Sequence, residues 1–499
     1  MATKATRKDR AAEVANTFEW LTTAFILAFV FRAFVMEAYR IPTGSMAETL
    51  MGSHFRLCCR QCGYKYDQGF IPQDYRLPQD TVPPGPVTPP QSRCPSCGHF
   101  LPTDQTVSIS KGDRIIVLKC IYQFSEPKRW DVIVFKDPLD PTINYIKRLI
   151  GKPNETVEII DGDIYIDGQI SRKPAKVQNE LWMPIYDNDY QPVKPNESLF
   201  NRHKWRQPFN MKDSEWKLDK TKFHLDSPQN QINTSTYDTT IGNNFRAAYA
   251  YNNVREGDYV ALCSDLMMRF YVQSSANQGL IGINLSKYQT AYKAWVDLSG
   301  KMVIAKVSEE GNEIILTDKT IEETDISKPT LVKFANVDHQ LVFQFAEEKL
   351  TFDLGRLPDD AGPRKNEIHP QAAFFGAGKL TLSHIALFRD IHYTSIDGPA
   401  PGRATEGNPF TLEKDQFFVL GDNSPNSMDS RWWNQFGIGN NTVYPKGIVP
   451  REYLVGKAFF VYWPGGFKPF ANSRFALIPN IGRMKLIYGG SNKSVDDDS

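Results

Sequence analysis

Net charge is almost absent from this chain of 499 residues, histidine is scarce, and nothing after residue 40 is apolar for long enough to cross a bilayer. Each shortage excludes something. With 58 basic against 57 acidic residues there is no overall field to draw in nucleic acid or an acidic surface. The eight histidines, at 54, 99, 203, 224, 339, 369, 384 and 392, sit apart from the serines discussed below, so a Ser-His-acid triad has no support. No repeat of fixed period occurs, which argues against a solenoid or propeller. Without a second apolar run, a chain that enters a membrane once does not return.

What is present begins at the amino terminus. Lys4, Arg7, Lys8 and Arg10 precede residues 20–36, WLTTAFILAFVFRAFVM, in which only threonines and Arg32 are polar. At about 1.5 Å per residue this run spans roughly 25 Å, close to a hydrocarbon core of about 30 Å, with Arg32 placed to snorkel at the distal end. A cleaved signal peptide would want a small-x-small site, whereas the chain continues Phe34-Val35-Met36-Glu37. The expectation is a signal anchor at 16–36, with residues 1–15 in the cytoplasm and the remainder outside. The length predicts two or three domains.

The next stretch is Tyr39-Arg40-Ile41-Pro42-Thr43-Gly44-Ser45-Met46, read as extended over residues 39–52 because Pro42 biases Ile41 away from helix. Strand signals then recur at 114–118 (RIIVL), 131–135 (DVIVF), 145–150 (YIKRLI) and 157–170, the last a hairpin around Asp161-Gly162. Residues 171–245 read as irregular. Beyond them, alternating runs such as 259–262, 301–307, 341–345 and 379–382 suggest a β-sandwich, and the Gly/Pro cluster at 397–402 a linker out of it. Strands resume at 416–420 and 456–463, and Asp496 to Asp498 read as a solvated tail.

Ser45 needs a base to become a nucleophile, and lysine serves if burial lowers its pKa from about 10.4. Lys147, in an otherwise apolar strand, is the candidate. Strand alternation sends Lys147 and Arg148 to opposite faces. Alone, that segment also reads as an ordinary edge strand with an exposed lysine. A third segment, Gly421-Asp422-Asn423-Ser424-Pro425-Asn426-Ser427-Met428-Asp429-Ser430-Arg431, offers a hydroxyl to orient a neutral lysine and an acid-base pair to brace it.

Pro-x-Gly-Ser-Met, Gly-Asp-Arg, Tyr-Ile-Lys-Arg-x-Ile-Gly and Gly-Asp-Asn-x-x-x-Ser-x-Asp-Ser-Arg follow one another in an order that resembles bacterial type I signal peptidase, also called leader peptidase. The resemblance covers residues 17–52, 111–168 and 412–463. It implies a membrane-bound serine endopeptidase that removes signal peptides after small residues at Ala-x-Ala sites, with Ser45 as nucleophile and Lys147 as general base. Thr43, where serine is commoner, and the Ser45 N–H would form the oxyanion hole. Ser427, Asp429 and Arg431 would support the lysine, and Ile41, Met46, Leu50, Tyr145 and Ile146 would line the substrate pockets. No cofactor is implied for catalysis. Implied partners are signal peptides of secretory preproteins, the lipid bilayer and the secretion machinery, with no nucleic acid, at the bacterial inner membrane and with the catalytic domain on the extracytoplasmic side. Three departures stand out: an interruption after Leu50, glutamate at 48 where proline is common, and Trp130 where glycine usually precedes the aspartate.

The expected fold is mainly β: an antiparallel catalytic core over 37–52, 106–170 and 409–475, interrupted by two inserts and followed by a tail at 476–499. Cys59-x-x-Cys62-Gly and Cys94-x-x-Cys97-Gly in the first insert, 53–105, resemble a zinc ribbon, with two disulfides as the alternative outside the cytoplasm. Cys58, Cys120 and Cys263 read as core residues or free thiols. The second insert, 171–408, reads as a β-sandwich of laminin-G or concanavalin-like type, either a structural cap or a binding module. The competing function is a catalytically idle, membrane-tethered protein whose inserts recruit a partner or glycan.

Overall fold

The computed structural model describes residues 7–79, 81–101, 104–195, 199–200, 203–252, 260–275, 278–322, 324–355, 368–394, 396–397, 400–439, 442–466 and 480–490. Lys4, Tyr259 and Asp496 to Asp498 lie outside them.

Helix α1, Arg7–Phe34, is predominantly apolar from Ala12 onward, with Glu13, Glu19 and Arg32 as its charged residues, and its apolar window is not buried by any of the described residues. Phe18, Trp20, Phe25 and Phe29 are all more than 60% exposed. By length and composition, Ala12–Phe34 is long and apolar enough to cross a membrane, and it fits a single span. It stops two residues earlier than expected, since Met36 already opens strand β1, Met36–Arg40.

The central sheet adds β2 (Arg114–Leu118), β3 (Val132–Lys136), β4 (Asn144–Gly151), β5 (Gln416–Leu420), β6 (Val449–Pro450) and β7 (Leu454–Trp463). Their spatial order is β1-β2-β7-β3-β4-β5-β6, and every pairing is antiparallel. β-branched runs account for these strands: alternate residues such as Ile115 and Val117 are fully buried, and Ile41, Met46, Leu50, Val132, Val134 and Val461 complete one face of the core. The segment expected as a carboxy-terminal tail contributes an eighth strand, because Lys485–Leu486 pairs with β7 and Ile487 is buried against the same core. That pairing is long-range and leaves no periodic trace in so short a run.

A four-stranded sheet flanks this core: Gln169–Ile170, Asp163–Ile166, Thr156–Ile160 and Phe410–Thr411. The hairpin turns at Asp161 and Gly162, with φ of 50° and 89°, as a two-residue turn with both φ positive requires. Trp130, at φ 72°, explains why glycine is usual there: a bulky residue holds a left-handed backbone conformation, compensated by burial of its ring under Lys173.

Both inserts are closed excursions from the core. Met51 N–H donates to the Asp113 carboxylate at 2.8 Å, and Asp113 N–H donates back to the Met51 carbonyl at 2.9 Å, so residues 51 and 113 meet where an uninterrupted chain would continue. Ile170 and Phe410, near the ends of the second excursion, lie in the same four-stranded sheet.

Within the second excursion, the 18-residue strand Ala372–Arg389 pairs with Gly279–Lys287 through its first half and with Leu266–Gln273 through its second. The two wings it joins pack face to face through Ile281, Ile283, Val296 and Ile304 on one side and Phe334, Leu341 and Phe343 on the other, a two-layered sandwich. Residues 171–245 are not irregular. They hold the helix Ala175–Leu181 and strands including Lys222–Asp226 and Asn233–Tyr237, both of which pair with Ala372–Arg389. Polar residues on the buried face, such as Asn233 and Ser235, hid the period. The expected linker at 397–402 also pairs, Ile396–Asp397 against Ala400–Pro401.

Candidate active site

The chain does not stay extended through Ser45. After β1, Ile41 N–H reaches the Asp113 carbonyl at 2.8 Å, and residues 43–50 then coil into turns closed by Ala47 N–H to Gly44 carbonyl, 3.0 Å, and Leu50 N–H to Met46 carbonyl, 2.8 Å. Gly44 is needed here because a Cβ would stand 2.2 Å from the Tyr251 ring.

Lys147 lies in β4 opposite Ile133 and is 4% exposed. Its Nζ donates to Ser45 Oγ at 2.9 Å and to the Ile146 carbonyl at 3.1 Å, both neutral oxygens. Burial lowers its pKa to about 8, while the charges of Asp429 and Asp422 pull in the other direction. An amine that is partly neutral near physiological pH, in contact with a hydroxyl, is suited to take the hydroxyl's proton.

Arg148, the next residue, points to the opposite face and is fully buried. It donates to the Asp422 carboxylate twice, Nε at 2.7 Å and Nη2 at 2.6 Å, and Asp422 also accepts from Thr49 Oγ1 at 2.6 Å. Strand β4 is thereby bonded to both the 421–431 segment and the turn that carries Ser45. The Gly-Asp-Asn motif was the available sequence signal for this pairing, and Thr49 gave none.

Asp429 and Arg431 form a second buried pair, Nε to Oδ1 at 2.8 Å and Nη2 to Oδ2 at 2.6 Å, and Gly421 N–H donates to the same carboxylate at 3.0 Å. Arg431 also donates to Ser424 Oγ and to the Thr394 carbonyl, both at 2.7 Å. Ser427 was expected to hold the lysine amine. Its Oγ is buried and makes no hydrogen bond among the described residues, because Lys147 Nζ is directed to Ser45 and Ile146 instead. Ser427 is nonetheless adjacent: a Cβ on Gly421 would lie 2.2 Å from Ser427 Oγ and 2.5 Å from the Ser45 carbonyl oxygen.

Thr43 is exposed beside the turn. Among the residues expected to line pockets, Tyr145 and Ile146 are partly exposed, whereas Ile41, Met46 and Leu50 are at most 2% exposed. Those three pack beneath the surface as a floor rather than facing an open pocket.

Two edges near Ser45 are unpaired among the described residues. β1 pairs only with β2, and β4 pairs with β5 only from Arg148 onward, leaving Asn144 to Lys147 bonded on the β3 side alone. Free strand edges accept an added strand.

In the first excursion, Cys59 and Cys97 sulfurs lie 3.6 Å apart, Cys62 and Cys94 3.7 Å, and all four sit within 4.8 Å of one another. Tetrahedral zinc at about 2.3 Å from each sulfur sets sulfurs roughly 3.8 Å apart, and a disulfide requires about 2.05 Å. All four cysteines are free thiols. Each knuckle closes on its glycine, Gly63 N–H to Cys59 carbonyl and Gly98 N–H to Cys94 carbonyl, with φ of 76° and 77°. Of the remaining thiols Cys58 is exposed and Cys263 buried.

The family described as signal peptidase, peptidase S26, matches residues 103–265 and 393–463, two segments that leave the sandwich strands between them unmatched. Signal peptidase I of Rickettsia canadensis (strain McKiel) is 31% identical over 157 residues, which is 31% of this chain and 44% of the relative. That of Rickettsia akari (strain Hartford) is 32% identical over the same shares. The chain thus matches less than half the length of these relatives. Both comparisons agree with the resemblance drawn from the motifs. Among solved structures, a carbohydrate-binding module from Bacillus subtilis aligns over 36% of this chain and 96% of its own, with 8% identity and a TM-score of 0.24, too low to bear on function.

Proposed function

We propose that this chain, whose matched segments are those of a type I signal peptidase, is a membrane-anchored endopeptidase that cleaves signal peptides from preproteins with a Ser45-Lys147 dyad. The observation that carries the proposal is the 2.9 Å approach of a buried lysine amine to a serine hydroxyl. Ser45 lies outside the matched segments and Lys147 within them, so the contact joins the matched part of the chain to a serine that the family match does not reach.

In this reading the substrate lies as an extended strand along the free edges of β1 and of Asn144 to Lys147, exchanging backbone hydrogen bonds with them. Ser45 Oγ attacks the carbonyl as Lys147 takes its proton. Lys147 then returns the proton to the leaving amine, and water hydrolyses the acyl-enzyme with Lys147 again as base. The Ser45 N–H and the Thr43 hydroxyl stabilise the oxyanion, each contributing about 100-fold to 1000-fold. Partly exposed Tyr145 and Ile146, over a floor of Ile41, Met46 and Leu50, favour small side chains and hence Ala-x-Ala sites. Helix α1 spans the bacterial inner membrane and holds the site at its extracytoplasmic surface, where preproteins emerge from the secretion machinery. The four-cysteine cluster holds structural zinc and takes no part in the reaction.

The test is cleavage of an Ala-x-Ala preprotein by the full chain in detergent or liposomes, compared with Ser45→Ala and Lys147→Ala. Both variants are expected to lose activity to background, and wild-type rates from either would exclude the dyad. An idle binding protein would show no cleavage by the wild type.

A further inference from the structure

Residues 245–252 of the second excursion lead from the sandwich core, where Phe245 is buried, to the turn that carries Ser45. Tyr249, Tyr251, Ala47, Met51 and Met183 form one buried apolar cluster. The Tyr249 hydroxyl donates to the Asp422 carbonyl at 3.1 Å, and Tyr251, whose ring covers Gly44 and Gly69, donates to the Ser53 carbonyl at 3.3 Å. Tyr249 is held in turn by the Arg389 guanidinium, 5.0 Å from its ring centre.

At the end of this segment Asn252 and Asn423 face each other as a reciprocal amide pair. Asn252 Nδ2 donates to Asn423 Oδ1, and Asn423 Nδ2 donates to Asn252 Oδ1, both at 2.7 Å. Asn423 has one amide hydrogen left, which it gives to the Gly44 carbonyl at 2.9 Å, and its backbone N–H donates to the Ser45 carbonyl at 3.0 Å. One residue therefore fixes the carbonyls on both sides of Ser45.

The Gly44 carbonyl and the Ser45 N–H belong to the same planar trans peptide, so fixing one direction fixes the other. We propose that Asn252 is a positioning residue: it orients the Asn423 amide, which sets the peptide plane presenting the Ser45 N–H to the oxyanion and so makes the large insert part of the catalytic apparatus. This rests on the dyad reading above. Asn252 itself touches neither substrate nor dyad. Its effect belongs in the transition state, where charge develops on the substrate oxygen, and not in binding of the extended substrate.

The experiment measures kcat and KM separately for the full chain carrying Asn252→Ala, Asn252→Asp, Asn423→Ala and the Asn252→Ala/Asn423→Ala double variant, with melting temperature for each. Asp189→Ala, whose carboxylate meets the exposed His384 ring at 2.6 Å and none of the residues named above, is the control and keeps wild-type kcat. Asn252→Ala is expected to lower kcat about tenfold with KM within twofold and melting temperature little changed, since both bonds of the part-buried amide pair are removed while Asn423 keeps its bonds to the Gly44 and Ser45 carbonyls. Asn252→Asp keeps an acceptor but sets an oxygen against Asn423 Oδ1, and is expected to lower kcat at least as far, which serves if the alanine form is unstable. The double variant is expected to be no slower than Asn423→Ala alone, because both act through one chain of bonds. A kcat unchanged in Asn252→Ala or Asn252→Asp, or additive losses in the double variant, would overturn the assignment. Absence of cleavage by the wild type would instead overturn the dyad.

Discussion

Lys147 and Arg148 are neighbours on one strand, both buried, and they end in opposite electrostatic surroundings. Arg148 lies between two carboxylate oxygens of Asp422, at 2.7 and 2.6 Å, while Lys147 is bonded to a hydroxyl and a carbonyl. A charge compensated by a carboxylate is kept, and one compensated only by neutral dipoles is readily lost. This division gives one cation a structural role and leaves the other free to act as a base.

The pH dependence of cleavage follows from it. With a pKa of about 8, roughly a tenth of the Lys147 amine is neutral at pH 7 and most of it at pH 9. The rate at limiting substrate is expected to rise about tenfold per unit below pH 8 and to level off above pH 9. Asp429→Asn removes the largest charge holding that pKa up, so the inflection should move to lower pH. A profile flat from pH 6 to 9 would exclude Lys147 as the titrating base.

Stability should respond in the opposite sense to activity loss in Lys147→Met. The folded pKa lies below the unfolded one, so the unfolded chain binds more protons between pH 8 and 10.5 and wild-type stability rises with pH across that window. Below pH 8 the buried charge is a full penalty, of order 3 kcal/mol. Lys147→Met is therefore expected to be inactive yet to melt higher than wild type at pH 7, with the gain fading towards pH 10. Thermal melts at the two pH values decide it.

Arg148→Met should do the reverse. It leaves the Asp422 carboxylate in the core without its partner, at about 3–5 kcal/mol. Replacing both, as Arg148→Met with Asp422→Leu, should recover part of that loss. Denaturant titration of the single and double variants checks it, and equal losses in both would mean the pair contributes only through packing.

The four cysteines should bind one zinc per chain. Metal analysis and mass spectrometry of the purified protein are expected to show stoichiometric zinc and no disulfide. Cys59→Ser should lose the metal and lower the melting temperature. Cleavage should persist below the new transition, because the ends of this excursion are bonded to each other through Met51 and Asp113 without the knuckles. Two disulfides in place of zinc would refute the metal assignment.

Much of the site is legible in the amino-acid sequence alone. Ser45, Lys147 and the 427–431 segment stand out only in combination, since the Lys147 segment alone also reads as an ordinary edge strand and 427–431 as a surface loop. The strands of the core are legible where β-branched residues alternate, as at Arg114–Leu118. Strands with polar inward faces, such as Asn233–Tyr237, are not, since their partner is more than a hundred residues away in Ala372–Arg389.

By itself, then, the sequence determined which groups are chemically available: an apolar helix, a serine, a lysine amid apolar neighbours, and cysteine knuckles spaced for a metal. Only the tertiary structure decided which of them meet. Ser45 and Lys147 are far apart in the chain, and the Lys147 pKa is a property of burial by distant segments, not of its own strand. The same holds for Asn252, whose amide pair with Asn423 connects the second excursion to the turn that carries Ser45. Local patterns are governed by near neighbours in sequence, whereas desolvation and hydrogen-bond chains depend on what folding brings together.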